Sequence, residues 1–266
     1  MSESERGQVT RSAAEVYEEF FVPALFQPWV TRLTAAAEIR PGQRVLDVAC
    51  GTGVLACSMA ERVGPTGSVV GVDVNEGMLA VAKRKAPTIE WREVRAEALP
   101  FAENSFDAVG SQFGLMFFED KRLALQEIRR VLRRGGRLAV AVWDSLEHFE
   151  GYKELTALIE RLYGDQAAAP LRVPFSLGDP RRLSFLLVEA GFTDVRVERQ
   201  EGTARFPSLG AWLFTEVKGW VLADRLDDAQ FELLLKEAQE SLRPFVAGDG
   251  TVALRAPAYL ITATKA

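Results

Sequence analysis

Two acids and two glycines carry the first chemistry legible in this sequence. Val45-Leu46-Asp47-Val48-Ala49-Cys50-Gly51-Thr52-Gly53-Val54-Leu55 is an apolar run holding one acid, then a turn of small residues, then the start of a helical pattern. Backbone N–H groups at such a turn, and the dipole of the helix behind it, can face an electron-rich ligand at close range. Glycine allows that approach and also tolerates a positive φ. Asp73 stands twenty residues after Gly53, at the end of the next apolar run, Val69-Val70-Gly71-Val72. A carboxylate there can accept from both hydroxyls of a ribose. Taken alone, Gly51-Thr52-Gly53-Val54-Leu55-Ala56 fits the dinucleotide fingerprint G-x-G-x-x-G/A, so an NAD-linked oxidoreductase is one reading. Asp47 argues for another. It lies four residues before Gly51, where a pyrophosphate gains nothing from a further anion and a ligand bearing positive charge would gain. The third glycine of the fingerprint is Ala56, and no second site for a nicotinamide acceptor is visible. No metal site is expected.

These residues need a scaffold, and the hydrophobic pattern supplies one. Strands are expected at 44–49, 68–72, 89–94, 106–111 and 137–143, each followed by a helical pattern or a turn. Leu55, Met59 and Val63 mark the helix after the first strand, which stops at Gly64-Pro65. Asn75 can cap the helix after the second. Residues 119–134 read as an amphipathic helix with its arginines toward the C-terminal end, closed by Gly135-Gly136. Strands alternating with helices at this spacing imply right-handed βαβ units and a parallel sheet. Residues 12–37 read as helix broken into pieces by Pro23 and Pro28, a candidate lid. Beyond Trp143 the rhythm loosens. Helices are expected at 150–163 and 180–190, a loop at 164–179, a strand at 192–200, a helical insertion at 208–245 and a last strand at 252–264.

The totals set bounds. A chain of 266 residues suffices for one large α/β domain with inserted caps. Apolar residues are 48% and the net charge is −5; a chain holding nucleic acid through phosphates would usually be basic, so no nucleic-acid partner is expected. The two cysteines, Cys50 and Cys57, offer no disulfide framework. No apolar leader and no run of spanning length is found, so a cytoplasmic protein without a membrane span is expected.

Several of these stretches together resemble the class I S-adenosylmethionine-dependent methyltransferases, in the style of the ubiquinone/menaquinone C-methyltransferase group. The resemblance rests on Val45 to Gly53, Val69-Val70-Gly71-Val72-Asp73, Met78-Leu79, Ala96-Glu97-Ala98-Leu99-Pro100-Phe101, Asn104-Ser105-Phe106-Asp107, and Glu127 to Gly136. It implies a Rossmann-like three-layer α/β sandwich: a seven-stranded, mostly parallel sheet in the order 3-2-1-4-5-7-6 with the last strand antiparallel. It implies S-adenosyl-L-methionine as cofactor and S-adenosyl-L-homocysteine as product. Ala49, Gly51, Thr52 and Gly53 would hold the methionine part, with Asp47 near the ammonium and sulfonium. Asp73 would take the ribose, Val74 and Met78 would pack on the adenine, and Ala96 and Glu97 would read its edge. Gln112 and Phe113 would border the methyl group. The family usually carries an aspartate immediately before Ala96; here Arg95 stands there.

The acceptor would be a small, apolar or aromatic molecule, faced by Tyr17, Phe21, Phe113 and Trp143. Residues 1–266 would form one methyltransferase domain, with the lid at 12–37 and substrate caps at 144–179 and 206–245. These bring Phe26, Trp29, Phe175, Trp212, Phe214 and Trp220, which could face the acceptor or pack the caps. The sole histidine, His148, follows the fifth strand and is the candidate base if the acceptor must lose a proton. A non-catalytic protein that binds S-adenosylmethionine or S-adenosylhomocysteine remains the alternative.

Overall fold

The computed structural model describes residues 11–219, 222 and 225–266, the side chains of Arg11 and Ser12 excepted. In chain order the helices are α1 (Arg11–Val16), α2 (Gln27–Ala36), α3 (Val54–Val63), α4 (Glu76–Lys85), α5 (Lys121–Val131), α6 (Glu150–Tyr163), α7 (Asp165–Arg172), α8 (Pro180–Glu189), α9 (Leu209–Lys218) and α10 (Asp228–Ser241). A π-helix, Tyr17–Phe26, joins α1 to α2. The strands are β1 (Arg44–Val48), β2 (Ser68–Asp73), β3 (Glu90–Glu93), β4 (Phe106–Gln112), β5 (Leu132–Trp143), β6 (Thr193–Gln200), β7 (Thr203–Phe206), β8 (Val252–Arg255) and β9 (Ala258–Thr264).

Seven strands form one sheet in the order β3-β2-β1-β4-β5-β9-β6, and β9 runs antiparallel to both its neighbours. This is the topology the resemblance implied, with β9 as the returning strand. The central strands β1, β4 and β5 are buried along most of their length, as parallel strands covered on both faces must be. Helices α3 and α4 pack beside β1 and β2, while α5 and α8 pack on each other beside β5 and β6. The carboxyl ends of β1, β2 and β4 therefore open onto one edge, where ligands bind in open α/β sheets.

The structure differs from the sequence expectations in four places. The helix expected at 119–134 stops at Val131, and β5 begins at Leu132, which pairs with Phe106. The arginines at 133 and 134 thus lie in the strand's entry, where the positive φ of Gly135 turns the chain. The single strand expected at 252–264 is two strands in two sheets, because Pro257 has no N–H to continue a ladder. Strand β8 pairs with β7 instead. The loop expected at 164–179 contains α7 and a 3-10 turn. The prolines at 23 and 28 do not break the N-terminal helix. Pro28 sits in the first turn of α2, where its missing N–H costs nothing, and Pro23 is absorbed by the π-winding around it.

Candidate active site

The end of β1 and the end of β4 both turn through left-handed backbone. Ala49 has φ 57° and Phe113 has φ 55°, a rare state for non-glycine residues that must be held by the surroundings. Between them sits Gly114, where any side chain would overlap the Ala49 methyl. Gly51 (φ 54°) and Gly53 (φ 84°) complete the turn into α3. Their reasons differ. A side chain on Gly51 would enter open space at the cavity. One on Gly53 would run into the Trp91 ring of β3, which also covers Gly71. Gly53 is therefore required by packing, and it is not among the residues lining the cavity.

Three amides of this turn, those of Cys50, Gly51 and Gly53, are committed within the protein. Cys50 N–H donates to the Val72 carbonyl (3.0 Å) and Gly53 N–H to the Cys50 carbonyl (2.9 Å). Gly51 N–H donates to Asp73 Oδ2 (2.8 Å), and Asn75 N–H donates to Asp73 Oδ1 (2.9 Å). This corrects the expectation that these N–H groups face the ligand. A pyrophosphate cradle needs them free, so the NAD reading loses its main support. Asp73 is aimed at the cavity. Burial raises its pKa, and the amides of Asn75, Gly51 and Val74 pull the other way.

The cavity at the carboxyl edge has a volume of about 430 Å³, within the range of small-molecule and cofactor sites. Of the residues singled out in the sequence, Ala49, Gly51, Asp73, Val74, Met78, Ala96, Glu97, Gln112, Tyr17, Phe113 and Trp143 line it. Asn75, Glu93, Phe117, Phe118 and Glu119 line it too and were not anticipated. The apolar run Leu115-Met116-Phe117-Phe118 just past β4 was the signal available for two of them. Arg95 lines the cavity with its guanidinium on Glu119, and 3.8 Å from Glu97. Glu97 is itself occupied, accepting from the Glu119 amide at 2.9 Å.

One wall is aromatic. The Phe113 and Trp143 rings stack face to face, centroids 3.5 Å apart and tilted by 9°. Phe26 lies 5.7 Å from Phe113, and Tyr17 stacks on Phe26 at 5.1 Å. Burial, and then the charges of Asp73 and Glu18, push the Tyr17 phenol far up, so it stays protonated. Trp29 backs this wall edge-on to both Phe113 and Trp143.

Other candidates sit elsewhere. Asp47 is wholly buried beneath the turn and is not a lining residue. Neither of its oxygens has a hydrogen-bond partner. Burial holds its pKa well up, against the pull of the Ala56 amide in the first turn of α3. Direct contact with the ammonium and sulfonium is not what this geometry offers; Asp47 faces the start of α3 from below. Thr52 is buried with its hydroxyl unpartnered. Phe21 packs against Tyr17 and Phe26 behind the wall. His148 lies off the cavity, half-exposed, its Nδ1 2.9 Å from Asp144 Oδ2 and 3.2 Å from Ser145 Oγ. Asp144 is buried, which opposes ionisation, but Arg199, the Ser145 amide and His148 hold its pKa below the usual carboxylate range. Among the described residues the caps at 144–179 and 206–245 contribute nothing to the lining. Phe175 packs on Phe149, Trp212 packs on Tyr152 and Phe206, and Phe214 meets Phe20. Trp220 lies outside the described residues.

A sheet of this order, an acid at the end of β2 facing a glycine turn, and a cavity reaching an aromatic wall define a class I S-adenosylmethionine-dependent methyltransferase. A model of the ubiE/COQ5 methyltransferase family matches residues 18–160, from the π-helix into α6. The ubiquinone/menaquinone biosynthesis C-methyltransferase UbiE of Cupriavidus metallidurans is 39% identical over 165 residues, 58% of this chain and 68% of that protein. The UbiE of Stenotrophomonas maltophilia is 41% identical over 143 residues, 50% of this chain and 56% of that one. The demethylmenaquinone methyltransferase of Staphylococcus aureus is 34% identical over 196 residues, 68% of this chain and 81% of that one. Among solved structures, phosphoethanolamine N-methyltransferase 2 of Haemonchus contortus with S-adenosylhomocysteine superposes with a TM-score of 0.63 at 20% identity, over 100% of this chain and 60% of that one. The chain belongs to the ubiE/COQ5 methyltransferase family.

Proposed function

We propose that the chain methylates a planar, apolar aromatic acceptor, the reduced ring of a quinone of the type named for its relatives. The aromatic wall carries this reading. The flat pair of Phe113 and Trp143, extended by Phe26 and Tyr17, lies in the same cavity as Asp73 and Gly51. Such a wall gains from burying a ring against it and offers a charged acceptor no counter-ion.

The residues fit the cofactor as follows. Gly51 leaves open space where a side chain would stand, so the methionine part can lie close to the backbone. Asp73 keeps a lone pair on each oxygen beyond the amide it accepts, enough for two ribose hydroxyls. Val74 and Met78 give the adenine an apolar side, and Ala96 and Glu97 its edge. Gln112 and Phe113 border the space where the acceptor meets the methyl. The sulfonium supplies an electrophilic methyl group. The chain's own contribution is to align the acceptor with it and to keep water out, which can supply a large part of the barrier reduction. His148 has no part in this reading, and the Tyr17 phenol, kept protonated, can donate a hydrogen bond but not act as base.

Replacing Trp143 by leucine tests the assignment. Removing the partner stacked at 3.5 Å should raise the KM for a short-chain hydroquinone about tenfold, from the ~0.5–1.5 kcal/mol of an aromatic pair plus lost area, and leave the affinity for S-adenosylhomocysteine within about twofold. Chromatography and mass spectrometry of the methylated ring supply the readout. Equal turnover in both proteins, or no methylation of any hydroquinone by the unaltered chain, refutes the quinol reading.

A further inference from the structure

The N-terminal segment reaches the cavity through a conformation that helices rarely hold for so long. Tyr17–Phe26 is a π-helix of ten residues with Pro23 inside, whereas such windings mostly occur as single-turn bulges, often at functional sites. Its two end residues, Tyr17 and Phe26, both line the cavity and stack on each other at 5.1 Å. That pairing depends on the winding. In an α-helix each residue advances about 100°, so nine steps make about two and a half turns and put residues 17 and 26 on opposite faces. The wider π-turn takes more than four residues, so nine steps close about two whole turns and bring both to one face. Pro23 favours this winding. Its ring clashes with the carbonyl four residues back and it has no N–H for that bond, whereas the Gln27 amide bonds five back, to the Val22 carbonyl.

Both ends of the segment are tied to the cofactor side of the cavity. Gln112 Nε2 donates to the Phe26 carbonyl (3.2 Å). At the other end Glu18 Oε1 pairs with Lys85 Nζ of α4 (2.5 Å), and the same ammonium donates to the Thr52 carbonyl in the glycine turn (3.3 Å). The two side chains are 29% and 25% exposed, so solvent screens them less than a fully exposed pair. Lys85 is thus shared between the lid and the turn that borders the cofactor.

We propose that Glu18 and Lys85 are positioning residues for methyl transfer, holding the wide winding so that Tyr17 shares a face with Phe26 and closes the cavity. The inference rests on the site assignment above. Rewinding to α would carry Tyr17 about half a turn away and open the wall, giving the acceptor a way in and the product a way out. The lid would then sense the glycine turn through one ammonium: a turn ordered by cofactor presents the Thr52 carbonyl that helps to hold Lys85 against Glu18.

The test uses the full chain and the variants Glu18→Gln, Lys85→Met, Lys85→Arg and Tyr17→Ala. Hydrogen–deuterium exchange of the Tyr17–Phe26 amides, with and without S-adenosylhomocysteine, reads the winding without any acceptor. Exchange should rise at least fivefold in Glu18→Gln and Lys85→Met and return close to the parent rate in Lys85→Arg. Turnover with a hydroquinone should show the acceptor KM raised about five- to tenfold in Glu18→Gln. In the Tyr17→Ala background the Glu18 change should add less than twofold, because both act through the same phenyl wall. Unchanged exchange in both charge variants overturns the latch. Full additivity of Glu18→Gln with Tyr17→Ala overturns the positioning role. If no hydroquinone is turned over but exchange responds as stated, the acceptor reading fails and the latch stands.

Discussion

Replacing Glu216 by glutamine should remove a pH dependence that the fold has built into its cap. Glu216 on α9 is fully buried. One carboxyl oxygen accepts from Trp212 Nε1 at 3.1 Å, and the other has no hydrogen bond. The Tyr152 hydroxyl of α6 faces the same carboxyl without reaching hydrogen-bond geometry. Burial pushes the Glu216 pKa from 4.5 up to about 8, against the weaker pull of Tyr152 and Trp212. The folded chain therefore binds a proton that the unfolded chain has already released between those two pH values. Stability should be greatest below about 4.5 as far as this group is concerned, and should fall as pH rises toward 8 by about 1.4 kcal/mol per pH unit. Above pH 8 the loss levels off at an upper bound of about 5 kcal/mol. Glutamine keeps the acceptor for Trp212 and cannot ionise. The difference in unfolding free energy between Glu216→Gln and the parent, from urea titrations at pH 6, 7, 8 and 9, should grow in favour of the variant by about 2–4 kcal/mol across that range. A constant difference, or one that grows in favour of the parent, refutes the assignment of a buried neutral acid.

The site makes three further predictions. Asp73→Asn replaces one charged oxygen with an amide and should weaken S-adenosylhomocysteine binding by about 2–3 kcal/mol, some 30- to 150-fold by calorimetry; unchanged affinity removes Asp73 from the ribose. Gly53→Ala combines φ 84° with overlap on Trp91 and should cost about 2–4 kcal/mol of stability in urea, whereas a cost below about 0.5 kcal/mol would mean the turn readily reshapes. His148→Ala should leave the pH profile of turnover unaltered between pH 6 and 9, since the ring lies off the cavity on Asp144; a lost basic limb would return His148 to the chemistry.

The fold was legible because its central strands β1, β4 and β5 are largely apolar and buried and the turns between strands carry glycine or an acid at set places. Asp73 was found for that reason: an acid ending an apolar run has little to do in a core. Asp47 misled for a related reason. Its place in the strand was correct, but spacing along a chain does not show which side of a turn a side chain lies on, and here it lies beneath. The double role of the glycines was also invisible, since the demand on Gly53 comes from Trp91, thirty-eight residues away in sequence. In the N-terminal segment Pro23 was read as a break because proline opposes the α-winding; the alternative winding that accommodates it leaves no mark in the composition. His148 stood out as the sole histidine, placed just after the fifth strand, but sequence does not show that its partner Asp144 is anchored by Arg199 of β6 (2.6 Å), two strands away in the sheet.

The returning strand β9 has a consequence for how the molecule is made. It lies between β5 and β6, pairing with both along almost its whole length, yet residues 258–264 follow the end of β5 at Trp143 by more than a hundred residues. Until they emerge, β5 and β6 each present an unpaired edge, one of them belonging to the strand that carries Trp143. Such edges invite pairing with other chains. During synthesis the β5 border of the sheet is closed only after more than a hundred further residues have been added. Holding that border open exposes the nascent chain to pairing with other chains, and slowing elongation downstream of β5 should lengthen that exposure.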